Sequence, residues 1–197
     1  MKIGVLALQG AFAEHIKVLT ALNIEAVPVR LSSELVGLKA LVIPGGESTT
    51  ISKLLVDYSL KEPMIDFIQQ GFPVLGTCAG MVLLAKKVAG SEVESLGGID
   101  IEIKRNAFGR QVDSFETDLS MPALGDKAFR GIFIRAPIVQ RIEPGVEILC
   151  RINNTAVAVK QGKVLACAFH PELTDDSRFH KYFINLIAGD AFAEGNF

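Results

Sequence analysis

The chain has 197 residues, 49% of them hydrophobic and 21% charged. That is enough for one domain with a substantial core, and it excludes a disordered chain. Lys and Arg total 20 against 22 for Asp and Glu, a net charge of −2, which excludes the basic footprint of a nucleic-acid binder and leaves no run of like charges that reads as a tail.

The first predicted element is Ile3–Leu8, a short apolar run read as a buried strand. Gln9 and Glu14 follow at once, so the run is too short for a secretion signal, and no later run reaches the roughly 18 residues of a membrane span. Phe12–Leu22 has helical spacing, with Phe12, Ile16, Leu19 and Leu22 on one stripe. Glu25–Val29 and Leu41–Ile43 read as strands. Ser48 is placed as the N-cap of a helix running through Lys53–Tyr58, and Pro63 in the first turn of a helix ending near Gly71. Val74–Gly76 is a fourth strand, and a helix is expected from Ala79 to Val88. This alternation predicts a mainly parallel sheet with helices on both faces.

The second half changes character. Ile99–Lys104, Ser114–Leu119, Gly131–Ile134, Val146–Ile152, Ala156–Lys160 and Val164–Phe169 read as strands, with Gln161-Gly162 as a hairpin turn. A last helix, Arg178–Ala188, is expected to end before Gly189. No linker or internal repeat interrupts the chain. The expectation is one α/β domain over residues 1–197, a mainly parallel sheet to which the later part adds antiparallel strands. Ligands bind such sheets at the carboxyl ends of the strands. Chemistry is therefore expected in the loops after Leu8, Ile43, Gly76 and Phe169.

Gly76-Thr77-Cys78-Ala79-Gly80 is the thiol form of a nucleophile elbow. A tight strand-to-helix turn strains the backbone at Cys78, and the flanking glycines let neighbouring backbone approach. The sulfur then lies near a helix N-terminus, and the Ala79 amide points where an oxyanion would form. A thiol nucleophile needs a base, and the chain offers three histidines. His15 lies beside Glu14 and Lys17 on the first helix and is expected at the surface. His180 lies in a polar stretch of the last helix and is expected to be structural. His170, in His170-Pro171-Glu172, directly follows a strand. In an extended segment residues i and i+2 share a side, so Glu172 can hold one ring nitrogen while the other faces Cys78. Pro44-Gly45-Gly46-Glu47-Ser48-Thr49-Thr50 follows another strand, and Gly46 N–H is the candidate second oxyanion donor. Cys150 and Cys167 lie in apolar strands and read as core. An odd count of three cysteines suits a reducing, cytoplasmic compartment.

These motifs resemble the class I (triad) glutamine amidotransferase family, whose fold is three-layered and flavodoxin-like. More specific stretches are Leu6-Ala7-Leu8-Gln9-Gly10, Pro44–Thr50, Arg105-Asn106 through Phe108-Gly109-Arg110-Gln111 to Ser114-Phe115, Phe133-Ile134-Arg135-Ala136-Pro137, and Phe169–Thr174. Together they resemble the PdxT family, the glutaminase subunits of pyridoxal 5′-phosphate synthase, over nearly the whole chain.

The resemblance implies Cys78 as nucleophile, His170 as base and Glu172 as its orienting carboxylate. It implies glutamine binding at Gly46, Glu47, Ser48, Arg105, Ile134 and Arg135. It further implies release of ammonia from L-glutamine to a separate (β/α)₈-barrel synthase subunit of the PdxS type, with no cofactor or metal on this chain. Family members often carry an aromatic residue or His after Arg-Ala-Pro; here Ile138 stands there. Gln9, at the same sheet edge, is assigned to setting the Gly46 peptide when the partner docks. Three other readings stay open: a glutaminase serving another synthase such as that of the histidine pathway, a Cys hydrolase or chaperone of the DJ-1/PfpI type, and a non-enzymatic regulatory subunit.

Overall fold

The computed structural model describes residues 1–105 and 114–193. Strand and helix alternate as expected in the first half: Lys2–Leu6 (β1), Phe12–Ala21 (α1), Glu25–Val29 (β2), Ala40–Ile43 (β3), Ser48–Asp57 (α2), Lys61–Gln69 (α3), Val74–Thr77 (β4) and Ala79–Leu84 (α4). Then follow Ala85–Ala89 (β5), Ile99–Lys104 (β6), Ser114–Leu119 (β7), Phe129–Ile134 (β8), Ile138–Ile142 (β9), Glu147–Ile152 (β10), Thr155–Gln161 (β11), Val164–Cys167 (β12) and Arg178–Ala193 (α5).

The central sheet has seven strands in the order β10-β11-β12-β4-β3-β1-β2. From β12 to β2 every pairing is parallel; β10 and β11 add the antiparallel edge. Every residue of β3, β4 and β12 is buried, as expected of strands covered on both faces. Pro28 lies in β2, the sheet edge, where its missing N–H leaves no gap in a ladder. β5, β6 and β9 form a second sheet, and β7 and β8 an antiparallel pair.

Several boundaries differ from the sequence reading. The helix expected to reach Val88 stops at Leu84, and Ala85–Ala89 runs on as a strand parallel to β6. Its two lysines point outward to ion pairs, Lys86 with Asp100 and Lys87 with Glu102, so sheet pairing overrides the helical spacing. β9 was not anticipated; it pairs with β6. α5 continues through Gly189 to Ala193 rather than ending before the glycine. The cap of α2 is Glu47, not Ser48, which is the first helical residue.

A cluster of buried aromatics fixes the segment that carries His170. Phe169 packs edge-on against Phe133 and Phe179, with ring centroids 5.7 and 5.2 Å away, and Phe129 touches Phe169 and Phe179. All four are fully buried, each stabilising the fold by roughly 1.5–3 kcal/mol. They lock β8, the end of β12 and α5 together. The next residue, His170, donates its backbone N–H to the Ile132 carbonyl of β8 at 2.8 Å.

Candidate active site

The loops after β1, β3, β4 and β12 meet at the carboxyl edge of the parallel strands, as the topology requires. They enclose a cavity of about 310 Å³ whose walls include Gln9, Gly46, Glu47, Ser48, Cys78, Ala79, Arg105, Ile134, Arg135 and His170. Of the site residues expected from sequence, only Glu172 is not part of that wall. It sits behind His170, 5% exposed.

Cys78 links β4 to α4 with φ +48° and ψ −101°, a backbone conformation that costs free energy for a residue with a Cβ. Its N–H donates to the Cys167 carbonyl of β12 at 2.8 Å, which pins the strained residue in place. The turn also needs Gly80, because a Cβ there would run into the Ile43 carbonyl of β3. The Cys78 thiol donates to the Ile134 carbonyl at 3.7 Å.

His170 Nδ1 lies 2.7 Å from Glu172 Oε1. The segment is not extended as expected: Pro171–Leu173 is a turn of 3-10 helix, begun by Pro171 with its fixed φ. Glu172 reaches the ring through this turn rather than through strand alternation. Burial acts to lower the imidazole's pKa, but hydrogen bonds and charge from Cys78 and Glu172 outweigh it and lift His170 to about 10.

Glu47 caps α2. Its carboxylate accepts the Thr50 N–H at 2.7 Å and the Thr50 and Thr49 hydroxyls at 2.8 and 2.5 Å. Burial acts to raise its carboxyl, yet the two hydroxyls and the backbone N–H groups of Thr50 and Thr49 prevail and hold it at about 2. Arg105 bridges Glu47 Oε1 at 3.2 Å and Ser91 Oγ at 3.1 Å. Arg135 has φ +45° and also lines the cavity. Residues 106–113, the middle of the Arg105–Phe115 motif, lie outside the described residues.

The Gly45–Gly46 peptide is held from the β1–α1 loop. Ala11 N–H donates to the Gly45 carbonyl at 2.9 Å. In a planar trans peptide the Gly46 N–H therefore points away from Ala11. Gln9 does not bond this peptide. Its Oε1 accepts the Glu47 N–H, one peptide further on, at 2.8 Å.

One histidine contradicts its sequence reading: His15, expected at the surface, is fully buried, and it meets His180, expected to be structural and likewise fully buried, behind Glu172. The available signal was spacing. His15 lies three residues after Phe12 and four before Leu19, on the inward stripe of α1, and His180 follows Phe179 in a helix whose Phe179 and Phe183 face the core. Cys150 and Cys167 are buried as expected, and burial raises both thiols.

Residues 5–188 match the SNO glutamine amidotransferase family. The chain belongs to this family. Similar proteins include a pyridoxal 5′-phosphate synthase subunit PdxT from Pelotomaculum thermopropionicum, 57% identical over 93% of this chain and 94% of that protein. A second PdxT, from Shouchella clausii, is 48% identical over the whole of both chains. A crystal structure of a glutamine amidotransferase superposes with a TM-score of 0.90 at 50% identity, covering 94% of this chain and 98% of that one. No helix among the described residues is long and apolar enough to cross a membrane.

Proposed function

We propose that the chain is the glutaminase subunit of a pyridoxal 5′-phosphate synthase, one domain that hydrolyses L-glutamine to L-glutamate and ammonia. The observation that carries this reading is the line Cys78, His170, Glu172 at one edge of a cavity of about 310 Å³, in a chain of the glutamine amidotransferase family. The charged groups of the cavity wall, Glu47, Arg105 and Arg135, suit the α-ammonium and α-carboxylate of free glutamine.

The Cys78 sulfur attacks the side-chain carboxamide carbon after its proton has passed to His170. The N–H groups of Ala79 and Gly46 hold the oxyanion, worth about 10²–10³ in turnover per donor. His170, carrying a proton at neutral pH, gives it to the departing ammonia and then activates the water that cleaves the thioester. Glu172 keeps the ring in the tautomer and orientation this requires. Ammonia released into bulk water would be protonated and lost as a nucleophile. It is therefore passed to a (β/α)₈-barrel synthase subunit of the PdxS type.

The test is glutamate release from glutamine by the chain mixed with its synthase subunit. Cys78→Ala and His170→Asn should each remove essentially all of it while the fold survives. Retention of near-normal release in either variant would end this reading.

A further inference from the structure

On the far side of Glu172 from His170, two imidazoles are buried to 0% exposure, His15 on α1 and His180 on α5. His15 Nδ1 lies 3.0 Å from His180 Nε2. His15 Nε2 lies 3.1 Å from Thr77 Oγ1 and 3.3 Å from Glu172 Oε2. The other carboxylate oxygen, Oε1, is the one that faces His170. The reaction described above uses neither His15 nor His180. Burying two polar rings in contact with an orienting carboxylate is costly unless their hydrogen bonds are arranged to suit it.

We propose that His15 and His180 are a positioning pair that holds the rear oxygen of Glu172 and, through that carboxylate, orients His170; this rests on the triad reading above.

The proton inventory decides how the pair is arranged. A neutral imidazole has one N–H and one bare nitrogen. In one arrangement His15 donates from Nδ1 to His180. Its bare Nε2 then accepts from the Thr77 hydroxyl and turns a lone pair toward Glu172 Oε2, an oxygen that has no hydrogen-bond donor. His180 must then carry its own proton on Nδ1, where no acceptor exists. In the other arrangement His180 Nε2–H donates to His15 Nδ1, and His15 Nε2–H donates to Thr77 Oγ1 with Glu172 Oε2 3.3 Å away. Two groups are left without a hydrogen bond, the bare nitrogen His180 Nδ1 and Glu172 Oε2, the latter with the His15 Nε2–H 3.3 Å away. A stranded neutral acceptor costs less than a stranded N–H, and an N–H beside the carboxylate oxygen is favourable where a lone pair repels it. The second arrangement prevails, and in it each histidine has a task. His180 fixes the tautomer of His15, and His15 presents an N–H to Glu172.

Burial first, then the proximity of His180 and His170, drives His15 well below its ordinary value, and burial lowers His180 to about 4. Both rings are therefore neutral at neutral pH. Such a pair sets the N–H of a neutral ring 3.3 Å from Glu172 Oε2 and brings no full positive charge to compete with His170. The negative charge of the carboxylate remains for the His170 imidazolium.

The test measures glutamate release by the chain with its synthase subunit, and thermal unfolding, for each variant. His15→Leu removes the N–H; His15→Gln restores one close to the position of Nε2. The expected result is a fall in kcat of roughly 10–100-fold for His15→Leu, the scale on which hydrogen bonds behind ligating histidines act. KM should stay within about two-fold, since no substrate contact is lost, and His15→Gln should recover most of kcat. His180→Leu should lose less, and adding it to His15→Leu should cost nothing further in kcat, because His180 acts through His15. Cys78→Ala is run beside them. Full release by Cys78→Ala would remove the triad itself. With Cys78→Ala inactive, parental kcat in folded His15→Leu, or a rise in KM alone, would overturn the positioning pair while leaving the triad. If His15→Leu does not fold, the ring ¹⁵N shifts of His15 in the intact protein decide the matter. A proton on Nε2 supports the pair, and a proton on Nδ1 refutes it.

Discussion

Gly45 lies directly against the imidazole of His170: a Cβ at this position would collide with Cε1 and Nδ1 of the ring and come within 3.4 Å of Cys78 Cβ. The loop after β3 is thus one wall of the base's seat. Gly45 does not have a positive φ, so the objection to a side chain here is steric alone. Gly45→Ala should push the ring away from the sulfur. Misplacement by about 1 Å commonly costs about 10²-fold in turnover. Glutamate release by Gly45→Ala should fall by that order while circular dichroism stays unchanged. Parental turnover in the folded variant would show that the ring tolerates the displacement.

Thiol chemistry should be confined to one cysteine. Cys78 lines the cavity, whereas Cys150 and Cys167 are buried away from it with their thiols raised by desolvation. A glutamine-like electrophile should therefore modify Cys78 alone in the native protein, as read by peptide mass spectrometry. Labelling of Cys150 with Cys78 unreacted would contradict the assignment of the nucleophile.

Much of this site is legible along the chain because its parts are local. An elbow such as Gly76–Gly80 is dictated by the sterics of five successive residues, and the parallel topology brings loop ends together whatever their sequence. The buried histidine pair is not local. His15 and His180 are 165 positions apart, and each sits beside charged residues that suggest solvent. Only the docking of α1 and α5 on the sheet decides that they face inward. The same holds for β5. Ala85–Ala89 continues a helical pattern, and its strand state depends on β6, which lies further along the chain. The partnership of Arg105 with Ser91 and Glu47 likewise needs the second sheet to be in place.

His170 and Glu47 give stability opposite dependences on pH. His170 rises from an ordinary value near 6.5 to about 10, so the folded state binds a proton that the unfolded chain releases. The stability this contributes is complete below about 6.5 and is lost as pH rises through about 10. Glu47 falls from an ordinary 4.5 to about 2, so its contribution is present above about 4.5 and lost as pH drops through about 2. Urea midpoints of the parent and His170→Gln should therefore converge between neutral pH and about 10. A constant difference across that range would mean that the proton is not held as described.

Gln9 couples the first loop to the oxyanion loop, and this is where the synthase subunit is expected to act. Its side-chain oxygen accepts the Glu47 N–H at 2.8 Å, and two residues on, Ala11 N–H holds the Gly45 carbonyl at 2.9 Å. Gly46 lies between these two anchors. A Cβ on Gly46 would meet Gln9 Oε1, so the glutamine side chain is in contact with the residue whose N–H is the assigned oxyanion donor. A surface that engages the β1–α1 loop from outside would shift both anchors together and so reset the Gly45–Gly46 peptide, which glycine permits in either orientation. One missing oxyanion donor costs about 10²–10³ in turnover, and an uncoupled glutaminase would waste glutamine. The isolated chain should therefore release glutamate slowly, with a rise of about ten-fold or more on adding the synthase subunit. Gln9→Ala removes one anchor without touching Cys78 or His170. It should leave the slow basal rate unchanged and abolish the rise, even at synthase concentrations that saturate binding. Equal rates with and without the synthase in the parent would reject the coupling, and a full rise in Gln9→Ala would move it to another residue of the loop.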